Sequence, residues 1–295
     1  MKSLALSKEK ESSFFSYTVS FNWDIHWVCN YDCPYCWFHG QWESLRSKNR
    51  YPEKDRIIAA WERVYARNGR VKVSITGGEP FLFPHFTDII QAISRMHSVE
   101  IITNLSVDVT DFLDRVNRKN VVINPSFHAL SADADTFIRK ILALREAEMV
   151  QCITFLAYPP LIGRLPALQE KFSASDLSLT IQSFFGTMGD LRYPEGYTQE
   201  EKAAIFPQLG TRGGQPFQTE AFSPKNKLCN AGKNYGVIQP DGTVRRCGGQ
   251  SDDAVVGNLF DDDFKMRSHP SPCTSERCPC NEWAFLLYEN GSGHG

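Results

Sequence analysis

Hydrophobic and polar residues alternate without a break near the start of the chain. Between Tyr17 and Trp27 every odd-numbered residue is apolar and every even-numbered residue is polar. A period of two over this length is typical of a β-strand that buries one face. The predicted strand leads directly into a loop that contains three cysteines.

The chain that follows alternates between helical and strand patterns. Apolar residues at helical spacing between positions 57 and 65 predict the first helix, which Asn68 and Gly69 end. Further helices are predicted at 86–96, 110–116, 134–146 and 165–172, and further strands at 71–76, 99–103, 121–126, 150–157 and 179–185. Alternation of this kind predicts parallel strands with right-handed crossovers. Six such units indicate an α/β fold and are too few to close an eight-stranded barrel.

Composition narrows the class of protein. With 295 residues, 42% of them hydrophobic, the chain can bury one large core, with or without an appendage. Its 32 basic and 34 acidic residues leave a formal charge of −2, which favours neither nucleic acid nor an anionic membrane. No stretch is apolar enough to span a membrane, and the N-terminus is too polar for a signal peptide. The nine cysteines therefore indicate metal ligation in a reducing cytoplasm rather than disulfides, and clusters on seven of them would leave two unused.

The cysteine loop carries the first candidate chemistry. Cys29, Cys33 and Cys36 are spaced Cx3CxxC. Three thiolates at this spacing can hold three irons of a cubane cluster and leave the fourth iron without a protein ligand. An open iron can bind and reduce a cofactor or substrate. The alternatives are scattered thiols or part of a zinc site, for which His39 is the only close fourth ligand.

These cysteines, with Tyr35 before the third of them, resemble the signature of radical S-adenosylmethionine (SAM) enzymes. Gly77-Gly78-Glu79-Pro80 resembles the GGEP segment of that family and follows a predicted strand, as it does there. The resemblance implies that this segment binds the methionine amino group of SAM and that Tyr35 packs against the adenine. It also implies an open, partial (β/α)6 TIM-like barrel.

Two further positions follow from the resemblance. Asn104 matches an asparagine that contacts the ribose of SAM, and Ser126 matches a serine that contacts SAM after the fourth strand. Both lie where strands are predicted to end, which is where parallel α/β folds place their chemistry. His128 stands where many relatives have an aspartate. Its side chain either lines the cavity or is a hydrogen-bonded structural group.

A second set of cysteines lies in the C-terminal part. Predicted strands at 235–238 and 243–246 flank Pro240-Asp241-Gly242, a favourable hairpin turn. The set resembles the SPASM/Twitch extension of radical SAM enzymes, which implies one auxiliary 4Fe–4S cluster in a small domain. The spacing after Cys273 departs from the family, so it stays open which two of the last three cysteines complete the site. A zinc ribbon is the alternative. The five cysteines are Cys229, Cys247, Cys273, Cys278 and Cys280.

The expected organisation has five parts. A flexible N-terminus (1–16) precedes the barrel (17–185), and a Gly- and Pro-rich bridge (186–227) leads to the auxiliary domain (228–289) and a loose tail (290–295). The bridge either covers the barrel mouth or is a surface excursion. Residues 281–289 are predicted to form a closing helix.

The resemblance implies a function. A 4Fe–4S cluster on the first three cysteines, reduced by a flavodoxin- or ferredoxin-type donor, would cleave SAM to a 5′-deoxyadenosyl radical. That radical would take a hydrogen atom from a small polar metabolite of sugar or aminocyclitol type, leading to epimerisation or dehydrogenation. Only 28 residues precede Cys29, too few for a leader-binding domain, which favours a small metabolite as the substrate. A ribosomal peptide that the enzyme modifies is the alternative substrate. An iron–sulfur electron carrier or a non-catalytic binding relative is the alternative of another class.

Overall fold

A computed structural model describes residues 17–212, 215–216, 219–248, 254–278 and 286–287. The predictions for the N-terminus, the tail, Cys280 and most of the helix at 281–289 fall outside these residues. Within the described part of the chain, no helix combines the length and the apolar character needed to cross a membrane.

Four parallel strands form the centre of the main sheet in the order in which they occur along the chain. They are β1 (Ser20–Asp24), β2 (Lys72–Thr76), β3 (Ser98–Thr103) and β4 (Val121–Pro125). β5 (Thr154–Ala157) and β6 (Thr180–Ser183) form a further parallel pair. Isolated parallel bridges from Ile123 to Val150 and from Ser126 to Thr154 connect β4 to the β5 segment. The predicted α/β fold with six parallel strands is therefore confirmed.

The fifth strand is shorter than its apolar pattern predicts. The pattern begins at residue 150, but β5 begins at Thr154. Between these positions the backbone N–H of Cys152 donates to the side-chain oxygen of Asn124, 3.3 Å away. A bond from the backbone to a side chain competes with regular ladder pairing at the start of the strand.

Helices connect the strands and cover their outer side. Trp61 of α2 is fully buried and contacts Phe21 and Trp23 of β1 with ring centroids 5.7 and 5.5 Å apart. The helix α5 (Ala134–Glu146) follows Asp133, whose carboxylate accepts from the N–H of Thr136 and so caps the helix N-terminus. The α-helices are α1 (Trp42–Arg46), α2 (Lys54–Asn68), α3 (Phe86–Ile93), α4 (Thr110–Arg115), α5 (Ala134–Glu146), α6 (Pro159–Ile162), α7 (Leu165–Ser173) and α8 (Gln199–Ile205), with short 3-10 turns at Pro80–Leu82 and Phe206–Gln208.

The opposite face of the central strands is polar. Register places Asn22 of β1 beside Ser74 of β2, and Asp24 beside Thr76. On the same side, the buried Glu100 of β3 forms an ion pair with Lys72 at 2.9 Å. Glu100 also accepts hydrogen bonds from Ser74 and Asn124. The barrel interior is therefore lined by polar side chains, while its outer face packs against the helices.

The predicted C-terminal hairpin is present and belongs to the main sheet. β12 (Tyr235–Ile238) runs antiparallel to β13 (Thr243–Arg245) and parallel to β1. With β14 (Val255–Asn258) the sheet has seven strands in the order β14-β13-β12-β1-β2-β3-β4. The remaining short strands are β7 (Gly186–Met188), β8 (Leu191–Tyr193), β9 (Thr211–Arg212), β10 (Gln215–Pro216), β11 (Leu228–Cys229) and β15 (Ser271–Pro272). The proposed domain boundaries stay a prediction.

Candidate active site

The cysteine loop is held between the ends of β1 and β2. Beyond β1 the chain continues to pair with the chain beyond β2: the N–H of Gly78 donates to the carbonyl of His26 at 2.7 Å, and that of Glu79 to the carbonyl of Val28 at 2.8 Å. Within the loop, the N–H of Cys36 donates to the carbonyl of Cys33 at 3.0 Å. The paired segments fix the backbone on which the three thiols stand.

This pairing explains why two glycines occur in sequence. Gly77 has φ of +120°, a conformation that residues with a Cβ rarely adopt. A Cβ on Gly78 would lie 1.9 Å from the carbonyl oxygen of Val28. Only glycine permits the chain beyond β2 to approach the segment that enters the cysteine loop so closely.

Glu79 links the chain that follows β2 to the end of β3 through buried hydrogen bonds. Its side chain is 0% exposed, and its carboxylate accepts from the N–H of Phe81 at 3.1 Å, the hydroxyl of Thr103 at 2.8 Å and the N–H of Asn104 at 2.8 Å. Burial raises the pKa of this carboxyl, and the hydrogen bonds oppose that effect. Gly77 and Gly78 line the cavity at the strand ends, whereas Glu79 and the buried Pro80 are not among its lining residues. The predicted contact of this segment with SAM stays a prediction.

Asn104 ties the end of β3 to the cysteine loop. Its side-chain amide donates to the side-chain oxygen of Asn30 at 3.0 Å and lies 3.7 Å from the sulfur of Cys29. The next residue, Leu105, has φ of +54°. The ammonium of Lys140 in α5 donates to three successive carbonyls, those of residues 105 to 107, at 2.8–3.0 Å. Lys140 thus holds the loop in this shape.

His128 joins two residues of the cysteine loop. Its Nδ1 lies 3.2 Å from the hydroxyl of Tyr35 and 3.5 Å from the sulfur of Cys33. The rings of Tyr35 and His128 are stacked, with centroids 5.8 Å apart. Burial lowers the pKa of His128 to about 4, so the imidazole is neutral at physiological pH. Both interpretations of this histidine hold, because it lines the cavity and is also hydrogen-bonded.

A cavity of about 370 Å³ lies at the carboxyl ends of the parallel strands. Cys33 is only 5% exposed and is not among the lining residues of the cavity. Its sulfur contacts His128, which does line the cavity. Sequence reasoning missed several lining residues that only the fold brings together, among them Ile102, Gln182 and Phe185. The predicted site residues on the cavity are Cys29, Tyr35, Cys36, Gly77, Gly78, Asn104 and Ser126.

The donor set fits an iron–sulfur cluster. Burial raises the pKa of all three thiols, that of Cys36 to about 11, so cations are needed to hold them as thiolates. No three His, Cys, Asp or Glu side chains in the described ranges are placed around a single ion. A cubane does not require this, because each thiolate binds a different iron. His39, the candidate zinc ligand, instead contacts Asp32 at 3.2 Å on the surface.

A second cavity, of about 610 Å³, adjoins the first. Four residues line both cavities: Trp37, Phe38, Thr76 and Ile102. Of the five C-terminal cysteines, the four that are described also line the second cavity, namely Cys229, Cys247, Cys273 and Cys278. Cys229 is buried, which raises the pKa of its thiol. Cys280 lies outside the described residues.

Part of the chain matches a radical SAM domain. Residues 27–153 match the radical SAM superfamily, so the chain carries a radical SAM domain, as its motifs indicate. Its fold is similar to that of anSMEcpe with bound AdoMet, with a TM-score of 0.60 and 14% identity over 82% of this chain and 78% of that one. It is also similar to Streptococcus suis SuiB, with a TM-score of 0.59 and 13% identity over 88% of this chain and 67% of that one.

Two curated relatives are similar to about a third of the chain. The chain is 33% identical over 115 residues to GTP 3′,8-cyclase of Pectobacterium atrosepticum, which is 35% of each chain. It is 32% identical over 103 residues to the GTP 3′,8-cyclase of Vibrio parahaemolyticus, 34% of this chain and 30% of that one. The chain thus matches about a third of the length of these relatives.

Proposed function

We propose that this protein is a radical SAM enzyme whose active site is the cavity of about 370 Å³. One observation carries the proposal: Cys29 and Cys36, the Gly77-Gly78 edge and Asn104 line a single cavity at the strand ends of a radical SAM domain. A bound cluster and SAM would supply a 5′-deoxyadenosyl radical able to take hydrogen from an unactivated carbon.

The residues of this chain would provide binding, orientation and exclusion of water. Cys29, Cys33 and Cys36 would hold the 4Fe–4S cluster, with Cys33 supported by His128 at 3.5 Å. Tyr35 and the backbone of the two glycines would form the walls against which SAM lies. Because the aromatic side chains exclude water, the site would limit side reactions of a reactive species.

The second cavity is the proposed position of the substrate and of an auxiliary 4Fe–4S cluster. Its four cysteines form a donor set suited to a 4Fe–4S cluster, and a zinc site is the alternative. The proposed substrate is a small polar metabolite of sugar or aminocyclitol type, for which the space of about 610 Å³ is sufficient. A peptide side chain that enters the same space is the alternative. The proposed electron donor is of flavodoxin or ferredoxin type.

The test is anaerobic reconstitution followed by assay of iron and of 5′-deoxyadenosine. We expect about eight irons per chain, and about four after joint replacement of Cys29, Cys33 and Cys36 by Ala. Reduced wild-type protein should form 5′-deoxyadenosine from SAM, and the triple variant should not. Cys152→Ala is the matched control, because Cys152 lines neither cavity. An electron carrier would bind iron but form no 5′-deoxyadenosine, and stoichiometric zinc would contradict the auxiliary cluster.

A further inference from the structure

Asp24, the last residue of β1, borders the second cavity beside the first. In the sheet its neighbour is Thr76, which lines both cavities. The Asp24 carboxyl is therefore located where a molecule in the second cavity would come closest to the proposed SAM site. Neither the motifs of the family nor the cysteine pattern points to this residue.

The surroundings of Asp24 do not compensate a negative charge. Among the described residues, the only hydrogen bond to its carboxylate comes from the amide of Asn22, at 3.3 Å, and no cation pairs with it. Glu100, on the same face of the sheet, differs in having Lys72 at 2.9 Å as its partner. Asp24 is only partly exposed to solvent. A carboxylate that is partly removed from water without a countercharge is costly, and burial raises the pKa of Asp24 to about 7.

The positive groups of the second cavity have other partners. Arg277 donates to the carbonyl of Tyr193 at 2.6 Å and to the carboxylate of Glu195 at 2.9 Å. Arg245 is not free either, because it too has an interaction partner. Aromatic rings, including those of Trp27 and Trp37, form part of the remaining lining. The face of such a ring can contact a cation or another ring.

We propose that Asp24 binds a cationic amine of the substrate in the second cavity. A protonated amine would supply both the missing countercharge and hydrogen-bond donors, whereas a hydroxyl supplies only a donor and a carboxylate would be repelled. That the ligand is the enzyme's substrate rests on the proposed function, whereas the binding of an amine at Asp24 does not. The proposal narrows the substrate to a small molecule or side chain that carries an amino group.

The test measures binding to the anaerobic, cluster-loaded protein at pH 8 with three probes of similar shape: cyclohexylamine, cyclohexanol and cyclohexanecarboxylate. In the wild type, the amine should bind about tenfold or more tightly than the other two. Asp24→Asn should weaken amine binding by about the same factor and leave cyclohexanol within about threefold. Asp24→Glu, which keeps the charge, should retain part of the amine binding. Asp190→Asn removes an exposed carboxyl and should change nothing.

Each outcome decides the proposal. If the wild type does not prefer the amine, or if Asp24→Asn binds the amine as tightly as the wild type, the proposal is refuted. The wild-type comparison decides alone if the variants do not fold. Formation of 5′-deoxyadenosine by the wild type is measured separately. If the wild type forms no 5′-deoxyadenosine but still binds the amine in a way that depends on Asp24, the proposed function is refuted and the amine site is supported.

Discussion

The unpaired Asp24 makes a prediction about stability as well as binding. Burial raises the pKa of its carboxyl from 3.8 to about 7. A carboxyl whose pKa is higher in the folded than in the unfolded chain contributes stability that is complete below about pH 4 and is lost as the pH rises to about 7. Above that pH the native state carries the whole cost of the charge. Asp24→Asn removes the charge and keeps the shape.

The structure sets the size of the effect. A pKa change from 3.8 to about 7 corresponds to about 4 kcal/mol at 1.36 kcal/mol per unit. Because the carboxyl borders a cavity that water can enter, we expect ~2–4 kcal/mol of added stability for Asp24→Asn at pH 8. The gain should grow by about 1–2 kcal/mol between pH 5.5 and pH 7.5 and then level off.

The assay compares the Tm of cluster-loaded wild type and variant across this pH range under anaerobic conditions. For a chain of this size, the gap in Tm should widen by a few degrees. Asp190→Asn is the control, since it makes the same chemical exchange at an exposed position. A gap that stays constant or narrows as the pH rises would show that Asp24 has a countercharge and would refute the reasoning.

Three further predictions concern the first cavity. Gly78→Ala should lower both the Tm and the iron content, because its Cβ would meet a carbonyl at 1.9 Å, whereas Gly163→Ala, with open space around it, should change neither. Glu79→Ala leaves three donors without an acceptor and should cost about 2–4 kcal/mol of stability, measured as a lower Tm, with Glu79→Gln losing less. His128→Phe keeps the stacked ring but removes the nitrogen near Cys33, so the reduction potential of the cluster, followed by EPR titration, should fall. An unchanged potential would show that His128 does not donate to that sulfur.

Local patterns in the sequence predict the elements that build the site. The strict alternation up to Trp27 predicts β1 and its entry into the cysteine loop, and α5 has the predicted bounds. The role of Glu79 is not visible in sequence, because its three partners come from two different strand ends. Lys140 is missed for the same reason: a lysine on a helix carries no sign of the loop that it holds.

Asp24 illustrates a different limit. The alternation correctly places it among the polar residues of β1, and a polar residue on an exposed face would need no explanation. In the structure, residues of the C-terminal segment, among them Arg245 and Cys273, line the same cavity as Asp24. The pairing of β12 with β1 joins residues more than 200 positions apart, and no local signal marks such a contact.

The pairing of β12 with β1 also means that the C-terminal segment cannot be removed without exposing β1. Because β12 covers one side of β1 and β2 covers the other, the strand that carries the cysteine loop is an interior strand. Removal of everything after residue 227 would convert it into an edge strand with a row of unpaired N–H and C=O groups. An uncovered, half-apolar edge of this kind is a place where other chains can pair. By occupying that edge, β12 denies it to a second copy of the chain, whatever the C-terminal cysteines bind.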